Sequence, residues 1–503
     1  MEKLALLKNV FGYDSFRPGQ EEIIDQLTAG GDVLAVMPTG AGKSLCYQVP
    51  ALLRDGIAIV ISPLISLMND QVQALCQAGV RAAYLNSSLS EAQCRRALAN
   101  AAAGVYQIIY VAPERLMTPS FLNFALSAPL SLICVDEAHC VSQWGQDFRP
   151  SYTRIAEFVS LLPQRPPLGA FTATATARVR DDIRGLLQLR QPLELTTGFD
   201  RPNLYFEVQR IAVKEKPAAL RHYLDTHPDA FGIVYCSTRK SVDEVAARLC
   251  AAGYAVARYH AGLSAEERSR SQEDFLYDRV HVMVATNAFG MGIDKSNVNF
   301  VIHYNMPLDI ESYYQEAGRA GRDGQPADCI LLYAPGDVRL GEFLLTHGDG
   351  AADEAQLALQ RDRLRQMTFY CHSKYCLRGE LLRYFGEHPP RECGNCSICQ
   401  PGLQKAGVAA VLAKAARRQA AASEADLDGA LLDKLKALRL ELAKRAGVPA
   451  FVVFSDATLR DMCARDPQDE QAFLAVSGVG QVKFERYGAE FLALLRSEHG
   501  KEG

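Results

Sequence analysis

The chain has 503 residues, 48% of them hydrophobic, enough for several domains with sizeable buried cores. A formal net charge of −4 excludes attachment to nucleic acid by bulk charge, so any such binding must come from local basic patches. No apolar run is long enough to span a bilayer, and residues 1–8 lack the apolar core and small-residue cleavage site of a secretory leader. The expected compartment is the cytosol, or a nucleoid-associated pool within it, with no membrane partner.

Along the chain, strand candidates fall at 33–37, 57–61, 108–111 and 132–135, then at 232–235, 280–285 and 300–303, with amphipathic helical stretches between them. Continuous apolar strands alternating with helices predict an α/β fold with parallel sheets covered on both faces. Gly and Pro interrupt the pattern near Thr197–Asn203. Two α/β domains are therefore expected, 1–198 and 199–340, with a cleft between them. Residues 341–400 turn helical and end in a cysteine cluster. Residues 401–426 are Ala-rich and basic, read as either a linker or a lone helix. Residues 427–503 are expected to form a small helical domain. Asp428 would cap its first helix, with Leu431, Leu432, Leu435, Leu438 and Leu442 as the buried stripe. A second helix is predicted after Ser455-Asp456-Ala457-Thr458.

The chemistry starts at Pro38-Thr39-Gly40-Ala41-Gly42-Lys43-Ser44, between a strand and a helix. Glycines at 40 and 42 let backbone N–H groups curl around phosphate oxygens; Lys43 reaches the terminal phosphates and the Ser44 hydroxyl suits Mg²⁺. Met37 stands where the strict phosphate-loop pattern has its first Gly. Val135-Asp136-Glu137-Ala138-His139 supplies the complementary half. Asp136 leaves the end of a buried strand, where it can hold the Mg²⁺ shell, while Glu137 orients the attacking water. The third part is Gln315-Glu316-Ala317-Gly318-Arg319-Ala320-Gly321-Arg322, in the second α/β domain. Arg322 is the expected arginine finger, with Arg319 beside it and Gln315 nearby.

The stretch after His139 continues as Cys140-Val141-Ser142-Gln143-Trp144-Gly145-Gln146-Asp147-Phe148-Arg149 and holds the single Trp of the chain. Stacking side chains and a cation lie a few residues from phosphate chemistry. Of the 14 Cys, ten are scattered through mostly apolar segments, among them Cys46, Cys76, Cys134, Cys236 and Cys329, and read as buried reduced thiols. The other four, Cys376, Cys393, Cys396 and Cys399, have the spacing of a structural Zn²⁺ site. An iron–sulfur cluster stays open on thiolate count alone. Cys371 and His372 are spare candidates.

Taken together, these segments resemble the superfamily 2 helicases and, more narrowly, the RecQ family. Phe11-Gly12-Tyr13-Asp14-Ser15-Phe16-Arg17-Pro18-Gly19-Gln20 is similar to the adenine-recognition motif of that family. The resemblance implies that Tyr13 stacks on the base, Gln20 pairs with its edge and Arg17 assists, so ATP is the expected nucleotide. Other blocks match in order, including Ser62-Pro63-Leu64-Ile65-Ser66-Leu67-Met68, Thr172-Ala173-Thr174-Ala175, His260-Ala261-Gly262-Leu263 and Ala285–Asp294. By the same resemblance, two tandem RecA-like domains are followed by a helical zinc-binding subdomain and an all-α HRDC-like domain. Trp144, Phe148 and Arg149 would sense single-stranded DNA.

The HRDC-like end contains Val476-Ser477-Gly478-Val479-Gly480-Gln481-Val482-Lys483. Its glycine turn could present backbone N–H groups to a phosphate, with Lys483 and Arg486 assisting, or the domain could serve protein contacts instead. One departure stands out. Typical bacterial members place a winged helix of roughly 100 residues between zinc site and HRDC module, and residues 401–425 cannot hold it. The leading expectation is an ATP-, Mg²⁺- and Zn²⁺-dependent 3′–5′ DNA helicase of repair and recombination, acting on single-stranded and tailed or forked DNA. Single-strand DNA-binding protein and other repair proteins are its expected protein partners. The alternatives are a DNA-stimulated translocase or strand-remodelling ATPase with weak unwinding, an RNA helicase, and a non-catalytic scaffold.

Overall fold

The computed structural model describes residues 2–144, 148–289, 295–347, 354–403 and 426–499. The expected linker therefore lies almost wholly outside the described residues. So do Gly145, Gln146 and Asp147 of the aromatic loop and 290–294 of the 285–294 block. The chain divides into two compact units, one made chiefly of residues 1–199 and 460–503, the other of 200–290 and 295–459.

The first unit is built on a parallel seven-stranded sheet in the order β3-β4-β2-β5-β6-β1-β7. The strands are β1 (Val33–Val36), β2 (Ile57–Ile61), β3 (Ala82–Leu85), β4 (Ile108–Val111), β5 (Leu130–Val135), β6 (Leu168–Thr172) and β7 (Leu193–Thr196). β1, β2 and β4 are buried along their whole length, which is why their sequences read as unbroken apolar runs; β6 is equally buried. Three strands are not evident from apolar runs. β3 and β7 lie at the sheet edges, where partial exposure breaks the pattern, and β6 carries a Gly, at 169.

Strand order places β6 between β5 and β1. The loop after β1 and the loop after β5 therefore emerge on either side of one strand end, the kind of place where open α/β sheets bind ligands. Asp32, 2% exposed, fixes the start of this arrangement. Its carboxylate accepts from the Arg165 guanidinium at 3.0 and 2.6 Å and from the backbone N–H groups of Leu168 (2.9 Å) and Arg190 (2.7 Å). It thus ties the entry of β1 to the entry of β6.

The second unit holds a parallel six-stranded sheet in the order β10-β11-β9-β12-β13-β8. Its strands are β8 (Leu204–Arg210), β9 (Gly232–Tyr235), β10 (Val256–Tyr259), β11 (Val282–Ala285), β12 (Phe300–His303) and β13 (Ala327–Tyr333). Helices Gly336–His347, Glu354–His372 and Leu377–Tyr384 follow. The helix Asp426–Ala446 begins before Asp428, so that residue lies inside it and does not cap it. Leu435 and Leu442 of the expected stripe are fully buried, whereas Leu431, Leu432 and Leu438 are half-buried. Ser455 accepts from the Thr458 N–H at 3.1 Å and caps the next helix, Asp456–Arg465. Among the described residues no helix is long and apolar enough to cross a membrane.

Removing a buried carboxylate that holds an arginine strands the cation. Asp32→Ala should destabilise the protein by about 3–5 kcal/mol in urea or thermal unfolding. A loss below about 1 kcal/mol would show that Asp32 does not hold the two strands.

Candidate ATP and nucleic-acid site

β1 runs into the phosphate loop, and the helix Lys43–Leu53 starts directly after it. Gly40 (φ 85°) and Gly42 (φ 81°) adopt the left-handed backbone that turns N–H groups inward. At Gly42 space adds to conformation, because a Cβ there would meet Gln20 Nε2 at 2.5 Å. Thr39, Lys43 and Ser44 line the same loop and are half-buried. Ser44 Oγ accepts from the Tyr47 hydroxyl at 3.3 Å.

The adenine motif lies against this loop. Gln20, 2% exposed, donates through Nε2 to the carbonyls of Ala41 (3.0 Å) and Gly42 (3.2 Å) and accepts through Oε1 from the Arg17 N–H at 2.9 Å. Arg17 donates to the Gly40 carbonyl. Gln20 and Arg17 thus fasten this segment to the phosphate loop. Tyr13 is 40% exposed.

On the other side of β6, Asp136 accepts from the Glu137 N–H at 3.0 Å and is 5% exposed. Burial pushes its carboxyl up to about 7; the Glu137 charge adds to this and Lys43 opposes it. A carboxylate so short of positive charge is a fitting Mg²⁺ ligand. The Tyr152 hydroxyl donates to the Asp136 carbonyl at 2.9 Å. Glu137 takes φ 46°, in the left-handed region that residues other than glycine seldom adopt.

His139, 3% exposed, places Nδ1 at 2.9 Å from Thr172 Oγ1 and 3.4 Å from Glu137 Oε2. The Thr172 hydroxyl donates to the Thr174 carbonyl at 3.0 Å. With the hydroxyl proton directed to that carbonyl, Thr172 accepts from His139 in its Nδ1–H tautomer. Thr172 also accepts through its carbonyl from the Met37 N–H at 2.9 Å. One residue at the end of β6 thus holds both the strand bearing the phosphate loop and the loop bearing Glu137.

Of the aromatic stretch, Trp144 and Phe148 are half-buried. The Arg178 guanidinium covers one face of the Trp144 ring. Arg149 donates to the Pro63 carbonyl at 3.0 Å, tying the loop to the 62–68 block.

In the second unit, Gln315 sits on the helix Ile310–Ala317, and Arg319 and Arg322 lie in the turns after it. Arg319 is 5% exposed. Arg201 donates to the Ala320 (3.2 Å) and Gly321 (2.8 Å) carbonyls, and Asn203 donates to Gly321 (2.9 Å) and Gln325 (2.9 Å). A Cβ on Gly321 would meet Asn203 Nδ2 at 2.4 Å. In the sequence, Arg201 and Asn203 fall within the Gly- and Pro-marked break between the two α/β domains. Their neighbours Gly198 and Pro202 gave a turn signal that hid the polar role.

The Sγ atoms of Cys376, Cys393, Cys396 and Cys399 lie within 4.8 Å of one another. Zn–S bonds of about 2.3 Å in a tetrahedron set sulfurs about 3.8 Å apart, so one zinc ion fits. Cys371 and His372 lie outside this group; His372 Nε2 meets the Tyr333 hydroxyl at 3.0 Å instead. Asn395 donates to the Pro202 (3.0 Å) and Leu204 (3.1 Å) carbonyls, and the Ser397 N–H to Phe206 at 2.9 Å. The knuckle is therefore fastened to the segment that carries Arg201 and Asn203. Of the other cysteines, Cys76 and Cys250 are exposed, so Cys76 is not the buried thiol expected.

The glycine turn at 478–480 does not stand open for a phosphate. Gly478 donates its N–H to the Gly12 carbonyl at 2.9 Å, a Cβ on Gly480 would meet the Val10 carbonyl at 2.9 Å, and Arg486 donates to Gln77. The expectation fails because this turn is packed on the residues leading into the adenine motif. If zinc fastens the knuckle, a chelator should speed hydrogen exchange at the Phe206–Ser397 contact and lower the thermal midpoint. Unchanged exchange would contradict that.

The chain matches four families in order: DEAD/DEAH box helicase over 17–183, helicase conserved C-terminal domain over 215–324, RecQ zinc-binding over 335–400 and HRDC domain over 428–495. It is similar to the ATP-dependent DNA helicase RecQ of Bacillus subtilis, 38% identical over 98% of each chain. The RecQ helicase of Haemophilus influenzae is 36% identical over 99% of this chain and 96% of its own. The Bacillus alignment runs over 587 positions against 503 residues here, a surplus of at least 84. Between the zinc-binding and HRDC matches only 401–427 remain. In fold, Mycobacterium smegmatis helicase Lhr, solved with ssDNA and AMP-PNP, superposes with a TM-score of 0.54 at 19% identity, over 67% of this chain and 49% of that one. By near full-length identity to these helicases and by its own zinc-binding and HRDC segments, the chain belongs to the RecQ family.

Proposed function

We propose that this chain is an ATP-dependent DNA helicase that moves 3′ to 5′ along single-stranded DNA in repair and recombination. The observation that carries the reading is Thr172. It joins the phosphate-loop strand, through Met37, to the Asp136–His139 loop, through His139, and that loop leads straight to Trp144.

Tyr13, Arg17 and Gln20 select adenine. Thr39, Gly40 and Gly42 cradle the phosphates, and Lys43 neutralises their charge. Ser44 and Asp136 hold Mg²⁺, which polarises the transferred phosphoryl group when bound. Glu137 orients water, and His139, with Nδ1 protonated, steadies Glu137. Arg322 supplies the cation for the transition state, with Arg319 and Gln315 supporting it. Trp144 and Phe148 stack on bases; Arg149 sets the base of their loop. Stacking tolerates any sequence, as tracking requires. Cys376, Cys393, Cys396 and Cys399 hold zinc. Single-strand DNA-binding protein and a nucleoid-associated pool fit this work.

A second reading, a DNA-stimulated translocase that unwinds poorly, is favoured by the surplus of at least 84 positions in the relative. ATP hydrolysis and strand displacement on 3′-tailed, 5′-tailed and blunt duplexes, with DNA and RNA tracking strands, separate these readings. Displacement on 3′-tailed DNA supports the helicase, and stimulated hydrolysis without displacement supports the translocase. Equal stimulation by RNA would defeat the DNA reading.

Lys43→Ala should lower hydrolysis at least about a hundredfold, and Arg322→Ala about 10³-fold with ATP binding retained. Retained turnover in either would refute its role. Asp136 must lose its proton to take Mg²⁺. Half-saturating Mg²⁺ should therefore fall about tenfold from pH 6 to 8 and level off above the carboxyl's value of about 7. A flat profile would remove Asp136 from the metal shell.

A further inference from the structure

Trp144 does not present an open ring on both faces. The Arg178 guanidinium carbon lies 3.2 Å from the indole centroid. A base stacked on that face needs about 3.5 Å of its own, so cation and base cannot share it.

Arg178 is the second residue of the helix Ala177–Leu186 and is exposed. One turn later on the same helix face, Asp182 accepts from Ser142 Oγ at 2.5 Å, and Ser142 Oγ accepts from the Trp144 N–H at 3.1 Å. The helix therefore grips the 142–144 segment twice. Ser142 is fully buried, so its grip sets the backbone. The Arg178 grip is on the surface and holds only the ring, so it is the exchangeable one. The helix directly follows the Thr172–Ala175 segment, whose first residue holds His139.

We propose that Arg178 is a positioning residue that caps the Trp144 ring in the DNA-free protein and must leave before a nucleobase stacks there. The proposal rests on the reading of Trp144 as a DNA-stacking residue. The cap makes stacking on this face an exchange: a base gains that face of the ring only as the guanidinium gives it up. It also keeps the indole from stacking on other flat surfaces while no strand is present.

The chain has one Trp beside 20 Tyr, so emission excited at the red edge, where indole alone absorbs, reports this ring. Wild type, Arg178→Ala and Arg178→Lys are titrated with an oligothymidine at several salt concentrations. An exposed cation–π contact corresponds to a factor of about 2–5 in an equilibrium, so Arg178→Ala should bind the oligomer about 2–5-fold tighter. Its free-protein emission should shift to longer wavelength as water reaches the ring, and Arg178→Lys should fall between it and wild type. The slope of affinity against salt should not change. Weaker binding with a slope reduced by about 0.7 would place Arg178 on a phosphate and overturn the proposal. Unchanged affinity and emission would overturn it as well. If wild-type emission ignores the oligomer, the DNA reading of Trp144 falls and the cap falls with it. If wild type responds but Arg178→Ala binds no tighter, only the cap falls.

Discussion

The hydrogen bond from His139 Nδ1 to Thr172 Oγ1, 2.9 Å long and fully buried, is the contact on which the rest of the first unit's chemistry depends. A threonine hydroxyl has one proton, and Thr172 gives it to Thr174. With that proton directed there, Thr172 accepts from His139 Nδ1, and the same nitrogen lies 3.4 Å from Glu137 Oε2. The carbonyl of the same threonine holds Met37, the last residue before the phosphate loop. The phosphate loop and the Asp136–His139 loop are thereby registered to one strand end. A shift of the segment after β6 reaches both at once.

The second unit repeats the logic with different parts. Its arginines need a fixed presentation, and Arg201 and Asn203 supply it by donating to the carbonyls of the turns that carry Arg319 and Arg322. The zinc knuckle in turn holds the 200–206 segment through Asn395 and Ser397. Arg378, 5% exposed, adds an ion pair to Asp200 at 2.8 Å. The metal site is thus two links from the arginine loop while taking no part in its chemistry.

Much of this was legible in the sequence because it is local. The phosphate loop and the Asp136–His139 run each carry their functional groups within a few residues, three of the four cluster cysteines lie within seven, and most buried central strands announce themselves as apolar runs; β6 and β13, with Gly169 and Asp328, do not. The edge strands β3 and β7 did not, because partial exposure mixes their patterns. Arg201, Asn203 and Arg178 were missed for another reason: each acts across more than thirty residues of sequence on a backbone or ring that no spacing rule connects to it. The glycine turn at 478–480 shows the converse. Its sequence suits an anion site, but its N–H is spent on Gly12, and only packing reveals that.

The most direct test is Thr172→Val, which keeps the shape of the side chain and removes the acceptor that holds His139. Steady-state ATP turnover is measured with and without single-stranded DNA. Losing a buried hydrogen bond of about 1.4 kcal/mol from the coupled state should cut DNA-stimulated turnover about tenfold while leaving ATP affinity near wild type. Full DNA stimulation in Thr172→Val would contradict the central role given to this contact.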